Sequence, residues 1–145
     1  MTTPITPAYS TTAIATGGRD GRARTLDGAI DVKLATPREL GGNGDGNNPE
    51  QLFAAGYAAC YLGAIKFAAS QDKSLPRVPV DITVQATVGI GPRPDQGFGL
   101  KVGLDVALPG LTAEDAARLT AAGHGICPYS HATHGNIEVI TTVTL

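Results

Sequence analysis

The sequence predicts an α+β fold, with two main helices packed on a mainly antiparallel sheet in the order βββ-α-ββ-α-β. Three observations carry that expectation. Polar and β-branched residues alternate through the first 35 residues between glycine-rich turns. A long apolar run, Leu52 to Ile65, follows a strong helix start at Asn48-Pro49-Glu50. Beyond it, two segments alternate with the period of a strand, then a capped helical segment leads into a final β-branched stretch. All of this reads as one domain over residues 1–145.

Taken in order, Tyr9 to Thr16, Arg22 to Leu26 and Ile30 to Leu34 form a meander of three short strands. Gly17-Gly18-Arg19-Asp20-Gly21 makes the first turn and Asp27-Gly28 the second, the latter with hairpin chemistry. Gly41 to Asn48 is a loop without the Gly-Lys-Ser/Thr ending of a phosphate-binding loop and with too few acids for calcium, so it is expected to be a spacer. Asn48 caps a helix, Pro49 occupies its first position and Glu50 places an acid in its first turn. The helix is expected to run to about Gln71 and to be buried all round, because its middle is apolar or small on every side. The small residues Ala55, Gly56, Ala59 and Gly63 permit close backbone approach, which points to a partner helix from a second copy of the chain. Val80 to Val88 and Phe98 to Leu108 form a long hairpin. Thr112-Ala113-Glu114-Asp115 opens a second helix reaching about Ala122, and Ile137 to Leu145 is the last strand.

Composition narrows the function classes. Apolar residues make up 42% and charged residues 17% of 145 positions, enough for one ordered core. The net charge of −2 gives no general attraction to nucleic acid or anionic lipid. The Leu52 to Ile65 run is shorter than the roughly 20 residues a bilayer span needs, so no membrane association is expected. Met1 to Ile5 lacks the basic and apolar regions of a secretion signal. The expected address is the cytosol, where a thiol is kept reduced and a disulfide is catalytic more often than structural.

The two cysteines stand in different settings. Cys60 lies inside the apolar helix, and Cys127 opens Cys127-Pro128-Tyr129-Ser130 after the second helix. On position alone, Cys60 reads as a small core residue and Cys127 as a helix cap followed by proline. The alternative is a redox dithiol, a buried thiol and a second one on a short mobile turn, in which one sulfur reacts and the other resolves the product. A reactive Cys60 in mid-helix requires an imported cation, for which Arg19 and Arg22 are candidates by type. Glu50 precedes Cys60 by ten residues, about 15 Å of helical rise, so the two cannot meet within one helix. If they act together, Glu50 serves the Cys60 of another subunit. A metal site is the competing reading, because His124, Cys127, His131 and His134 crowd into eleven residues. Proline directly after the cysteine and histidines that need not share a face argue against it.

The segments Gly18-Arg19-Asp20-Gly21, Asn48 to Cys60 and Cys127-Pro128-Tyr129-Ser130-His131-Ala132-Thr133 resemble the organic hydroperoxide resistance (Ohr) proteins of the OsmC superfamily. The likeness runs through essentially the whole chain, and Tyr after Pro is similar to the Ohr branch. It implies an OsmC-like fold in an intertwined homodimer with sites at the subunit interface. It also implies a thiol peroxidase that reduces organic hydroperoxides, with Cys60 peroxidatic, Cys127 resolving, and Arg19 and Glu50 the polar pair that activates Cys60. No bound cofactor is implied; the external reductant is dihydrolipoamide or a lipoylated protein. Phe53, Tyr57, Tyr61 and Leu62 around Cys60 suit an organic tail. Two positions depart from the family pattern: Gly123, where a helix former is usual and which is expected to loosen the turn carrying Cys127, and His134, where Arg is frequent.

Overall fold

The computed structural model of the chain describes residues 2–145. They fall into two compact units, one ending at Pro49 and the other running from Glu50 to Leu145. In the first unit, strands β1 (Ala13–Thr16), β2 (Arg22–Thr25) and β3 (Asp31–Lys33) form an antiparallel sheet in sequence order. A short 3-10 turn, Gly18–Asp20, joins β1 to β2. It needs glycine, because Gly17 and Gly18 take φ of 72° and 62°, a region that other residues avoid. The Asp20 carboxylate then accepts the Thr36 amide at 3.0 Å and the Thr36 hydroxyl at 3.1 Å, which fixes the turn that presents Arg19. Arg22, the other candidate cation, pairs across the sheet with Asp31 at 2.7 Å. The glycine-rich segment is more than a spacer. Asn47 exchanges backbone hydrogen bonds with Lys33 and Ala35, each at 2.9 Å, so the loop closes back on the end of β3.

In the second unit, helix α1 (Pro49–Gln71) ends at the expected residue. Strands β4 (Thr83–Pro92) and β5 (Phe98–Ala107) pair as the expected hairpin. Helix α2 (Ala113–Ile126) is capped by the Thr112 hydroxyl, which accepts the Asp115 amide. It runs four residues past the expected end and hands over at Cys127 to a short helix, α3 (Pro128–Thr133). Strand β6 (Val139–Thr144) completes a sheet of order β4-β5-β6, lying parallel to β5 because the α2–α3 crossover returns the chain to the same end. The α+β class is that read from the sequence, and the element order differs from the expected one by the added short helix α3. Among the described residues the strands divide into two three-stranded sheets, and three of the four strand pairings are antiparallel.

The core of this unit lies between α1, α2 and the central strand β5. Val102, Leu104 and Val106 alternate inward from β5 and meet Tyr57, Tyr61 and Ile65 of α1 and Leu119 of α2. The chain by itself covers only part of the helix expected to be buried all round. Helix α1 is buried along one stripe only; Ala55, Ala59, Gly63 and Phe67 are exposed, Phe67 by 53%. A sequence apolar on every side cannot reveal which faces its own chain covers. By length and composition α1 is sufficient to cross a membrane. Its packed stripe, Tyr57, Tyr61, Ala64, Ile65 and Ala68, buries 28% of the most apolar window in the core.

Candidate active site

Cys60 sits on the same side of α1 as Phe53, Tyr57 and Ala64, at the helical spacing that aligns side chains along one face. Cys127 sits where α2 gives way to α3, and its Sγ lies 3.6 Å from Cys60 Sγ, both cysteines being free thiols. Residues far apart in sequence are thus within van der Waals contact, a short movement from a disulfide.

Two glycines make this approach possible. A Cβ on Gly56 of α1 would lie 2.9 Å from the Tyr129 hydroxyl and 3.2 Å from its ring, so the absent side chain is the space into which Tyr129 of α3 packs. A Cβ on Gly123 of α2 would lie 2.6 Å from Ile65 Cγ1 and 3.1 Å from Tyr61 Cε1. Gly123 therefore brings α2 against α1 and does not loosen the turn: it is inside the helix, and its carbonyl accepts the Cys127 amide at 2.9 Å. Gly56, one of the small residues read as facing a partner helix, is used inside the chain.

The burial of the two thiols is the reverse of the sequence reading. Cys127 is wholly enclosed, whereas Cys60 is half-buried. The α1 stripe turns Cys60 toward the edge of the core, while α2, α3 and the core close around Cys127. Even so, burial is the main cause that raises the Cys60 pKa; the Tyr129 amide opposes it and the adjoining Cys127 thiol adds to it. The Ser130 amide donates to Cys127 Sγ at 3.4 Å.

The predicted apolar residues divide by burial. Tyr57 and Tyr61 are fully enclosed, and their hydroxyls bond within the chain, Tyr57 to Ser130 at 2.9 Å and Tyr61 to the Thr120 carbonyl at 2.8 Å. Phe53 and Leu62 are half-buried at the margin of the core. Phe53, Tyr57 and Tyr129 form an aromatic cluster with centroids 5.7 to 6.1 Å apart. Glu50 is half-buried in the first turn of α1, and Arg19 is half-buried in the 3-10 turn of the first unit.

Of the three clustered histidines, His124 is engaged within the chain. Both ring nitrogens of His124 are taken by hydroxyls, Nδ1 by Ser130 at 2.8 Å and Nε2 by Thr141 at 2.7 Å. The ring stacks on Tyr61 at 4.4 Å, and burial lowers its pKa. His131 and His134 are exposed, and among the described residues no three His, Cys, Asp or Glu side chains converge as a metal site. Sequence reasoning missed the structural part played by His124, Ser130, Thr133 and Thr141. The available signal was a histidine on the inward side of an amphipathic helix, six residues before a serine in the Cys-Pro-Tyr-Ser segment.

Comparison with known proteins fits this geometry. Residues 42–142 match the family described as OsmC-like protein. An uncharacterized protein of Acinetobacter baylyi is 55% identical over 131 residues, covering 90% of each chain. The organic hydroperoxide resistance protein of Xanthomonas axonopodis pv. citri is 51% identical over 144 residues, 99% of each. The crystal structure of an organic hydroperoxide resistance protein from Legionella pneumophila superposes with a TM-score of 0.90 at 43% identity, covering 97% of this chain and all of that one. A two-thiol core reached through α1, α2 and α3, together with full-length similarity of this degree, places the chain in the organic hydroperoxide resistance branch of the OsmC-like family.

Proposed function

We propose that this chain is a thiol-dependent peroxidase that reduces organic hydroperoxides to alcohols. The observation that carries the reading is the 3.6 Å approach of two free thiols, one enclosed and one partly open. The open sulfur, Cys60, is the one a substrate can meet, so it is assigned the first step. Its thiolate attacks the distal oxygen of the hydroperoxide, the O–O bond breaks, and the alkoxide takes a proton to leave as the alcohol. Cys60 is left as a sulfenic acid. The Cys127 thiol then condenses with it, forming the S–S bond and releasing water. A dihydrolipoyl dithiol, free or on a lipoylated protein, reopens the disulfide by exchange and becomes oxidised itself.

Because burial raises the Cys60 pKa, the scheme needs a cation to favour the thiolate. Arg19 is assigned that part and Glu50 the part of holding the guanidinium, on the strength of the shared Gly18-Arg19-Asp20-Gly21 and Asn48-Pro49-Glu50 motifs. Phe53 and Leu62, at the margin of the core, are assigned to the organic tail, with Tyr57 and Tyr61 behind them. At about 25 cal/mol per Å² of apolar surface, an alkyl or aryl group contributes several kcal/mol that H₂O₂ lacks. The exposed side of α1 is assigned to a second copy of the chain, and the cytosol is the proposed address.

The experiment is thiol titration with intact-mass analysis of the reduced protein after one equivalent of cumene hydroperoxide or H₂O₂. The expected result is loss of both thiols and of two mass units, faster with the organic peroxide. Cys127→Ser should stop at an oxidised Cys60, and Cys60→Ser should not react. Persistence of both thiols in folded wild-type protein would refute the reading.

A further inference from the structure

Behind the two thiols runs a chain of hydrogen bonds whose direction can be assigned by counting protons. Thr141 of β6 meets His124 Nε2 at 2.7 Å, and His124 Nδ1 meets Ser130 at 2.8 Å. Ser130 meets the Tyr57 hydroxyl at 2.9 Å, and Tyr57 meets the Thr133 hydroxyl at 3.2 Å. The Thr133 hydroxyl donates to the carbonyls of Tyr129 and Ser130, at 3.0 and 3.2 Å. Each hydroxyl has a single proton. With the Thr133 proton given to the backbone, Thr133 accepts from Tyr57. Tyr57 then accepts from Ser130, and Ser130 accepts from His124, so Nδ1 carries the ring proton and Nε2 accepts from Thr141. Five side chains from β6, α2, α3 and α1 become one unidirectional chain, in which each bond polarises the next.

We infer that His124, held as its neutral Nδ1–H tautomer, is the positioning residue of Cys127: through Ser130 it fixes the first turn of α3, so that the enclosed thiol faces Cys60. Ser130 joins the two systems, since its hydroxyl accepts from His124 and its amide donates to Cys127 Sγ at 3.4 Å. His124 touches neither sulfur. Its effect falls on the second chemical step, in which Cys127 and the Cys60 sulfenic acid form a disulfide and release water, and not on the attack of Cys60 on peroxide. This rests on the peroxidase reading for its catalytic consequence, while the tautomer stands apart from it. Tyr61 against the ring and the Ser130 and Thr141 hydroxyls hold the half-buried imidazole.

The test combines a spectroscopic and a kinetic readout. In ¹⁵N-labelled wild-type protein, histidine two-bond ¹H–¹⁵N correlation spectra should show His124 protonated at Nδ1 and bare at Nε2. The opposite tautomer overturns the inference. In stopped-flow experiments with cumene hydroperoxide, His124→Phe should keep Cys60 oxidation near the wild-type rate. It should slow disulfide formation on the order of ten- to a hundredfold, the penalty of a misplaced reacting group, and raise the sulfinic acid on Cys60. Thr141→Val preserves side-chain shape and removes the Nε2 partner; it should show the same split in smaller measure, and it serves if the Phe variant does not fold. Equal disulfide rates in wild type and a folded variant overturn the positioning role alone. If wild type forms no disulfide at all, the peroxidase reading fails and the kinetic part of this inference falls with it, whatever the tautomer.

Discussion

Replacing Gly123 by alanine separates two opposed forces whose sizes can be worked out. In an ordinary helix interior, Gly→Ala stabilises by about 1 kcal/mol, because alanine loses less backbone freedom on folding. In α2 the new methyl would lie 2.6 Å from Ile65 Cγ1, where ordinary contact begins at 3.4 Å. The helices must therefore part by about 0.8 Å, or Ile65 and Tyr61 must give way. Neither can move easily: both are fully buried, and Tyr61 is held by its 2.8 Å bond to the Thr120 carbonyl. Overpacking of this kind costs about 1–3 kcal/mol, so the net change expected is a loss of up to about 2 kcal/mol. Urea unfolding of the reduced protein should show a lower midpoint with an unchanged slope. The displacement should also reach the site, because the Cys127 amide bonds to the Gly123 carbonyl at 2.9 Å, and disulfide formation should slow with the loss of stability. A variant more stable than wild type by about 1 kcal/mol, with an unchanged disulfide rate, would show that the contact yields freely and that this account of Gly123 is wrong.

Four further outcomes are expected. Arg19→Ala should reduce the rate of Cys60 oxidation by peroxide, followed by thiol titration, by an order of magnitude or more while leaving the circular dichroism spectrum unchanged; Glu50→Ala should act in the same direction and less strongly. Tyr57→Phe leaves the hydroxyls of Ser130 and Thr133 without their shared partner and should cost about 1–3 kcal/mol in denaturant unfolding. Burial lowers the His124 pKa below its usual 6.5, so between the folded and unfolded values the unfolded chain binds the extra proton. The His124 contribution is therefore complete above about pH 6.5 and lost as the pH falls below it, by at most about 1.4 kcal/mol per pH unit, and His124→Gln should flatten that part of the stability–pH curve. Phe67→Glu, on the exposed side of α1, should convert a dimer to a monomer by light scattering, whereas wild-type protein found to be monomeric would remove the assignment of that side to a second copy.

The elements were legible because each carries a local signal. Asn48-Pro49-Glu50 marks the start of α1, Thr112 marks α2, and the period-two alternation of Val80 to Val88 and of Phe98 to Leu108 marks the hairpin. The segments around both cysteines were legible as a family pattern. What the sequence concealed depends on contacts between elements. Nothing local distinguishes Gly56, which accommodates Tyr129, from Gly63, which faces open space. Gly123 reads as a weak point in a helix until Ile65 is seen beside it. His124 is a disfavoured metal-ligand candidate by its neighbours in sequence, and part of a hydroxyl chain by its neighbours in space. The assignment of Cys60 as the enclosed thiol failed for the same reason: burial of a residue in an all-apolar helix is decided by the elements that pack on it, here α2, α3 and β5.

For the proposed peroxidase, the unequal burial of the thiols sets an order of events and a way of limiting damage. A hydroperoxide reaching this unit meets the half-buried Cys60, while Cys127 is closed to it. In the proposed reaction, Cys127 is thus protected until a sulfenic acid forms on Cys60 beside it. From 3.6 Å the sulfurs need to close by only about 1.5 Å to reach the length of a disulfide bond, so neither α1 nor α3 has to unfold. The speed of that closure then depends on how firmly α2 and α3 hold Cys127 in place, and the groups that hold it are core groups: Gly123 against Ile65, Tyr129 against Gly56, and the hydroxyl chain through His124. Substitutions among these residues should therefore change stability and the second chemical step together, whereas changes at Arg19 should alter the first step and leave stability alone.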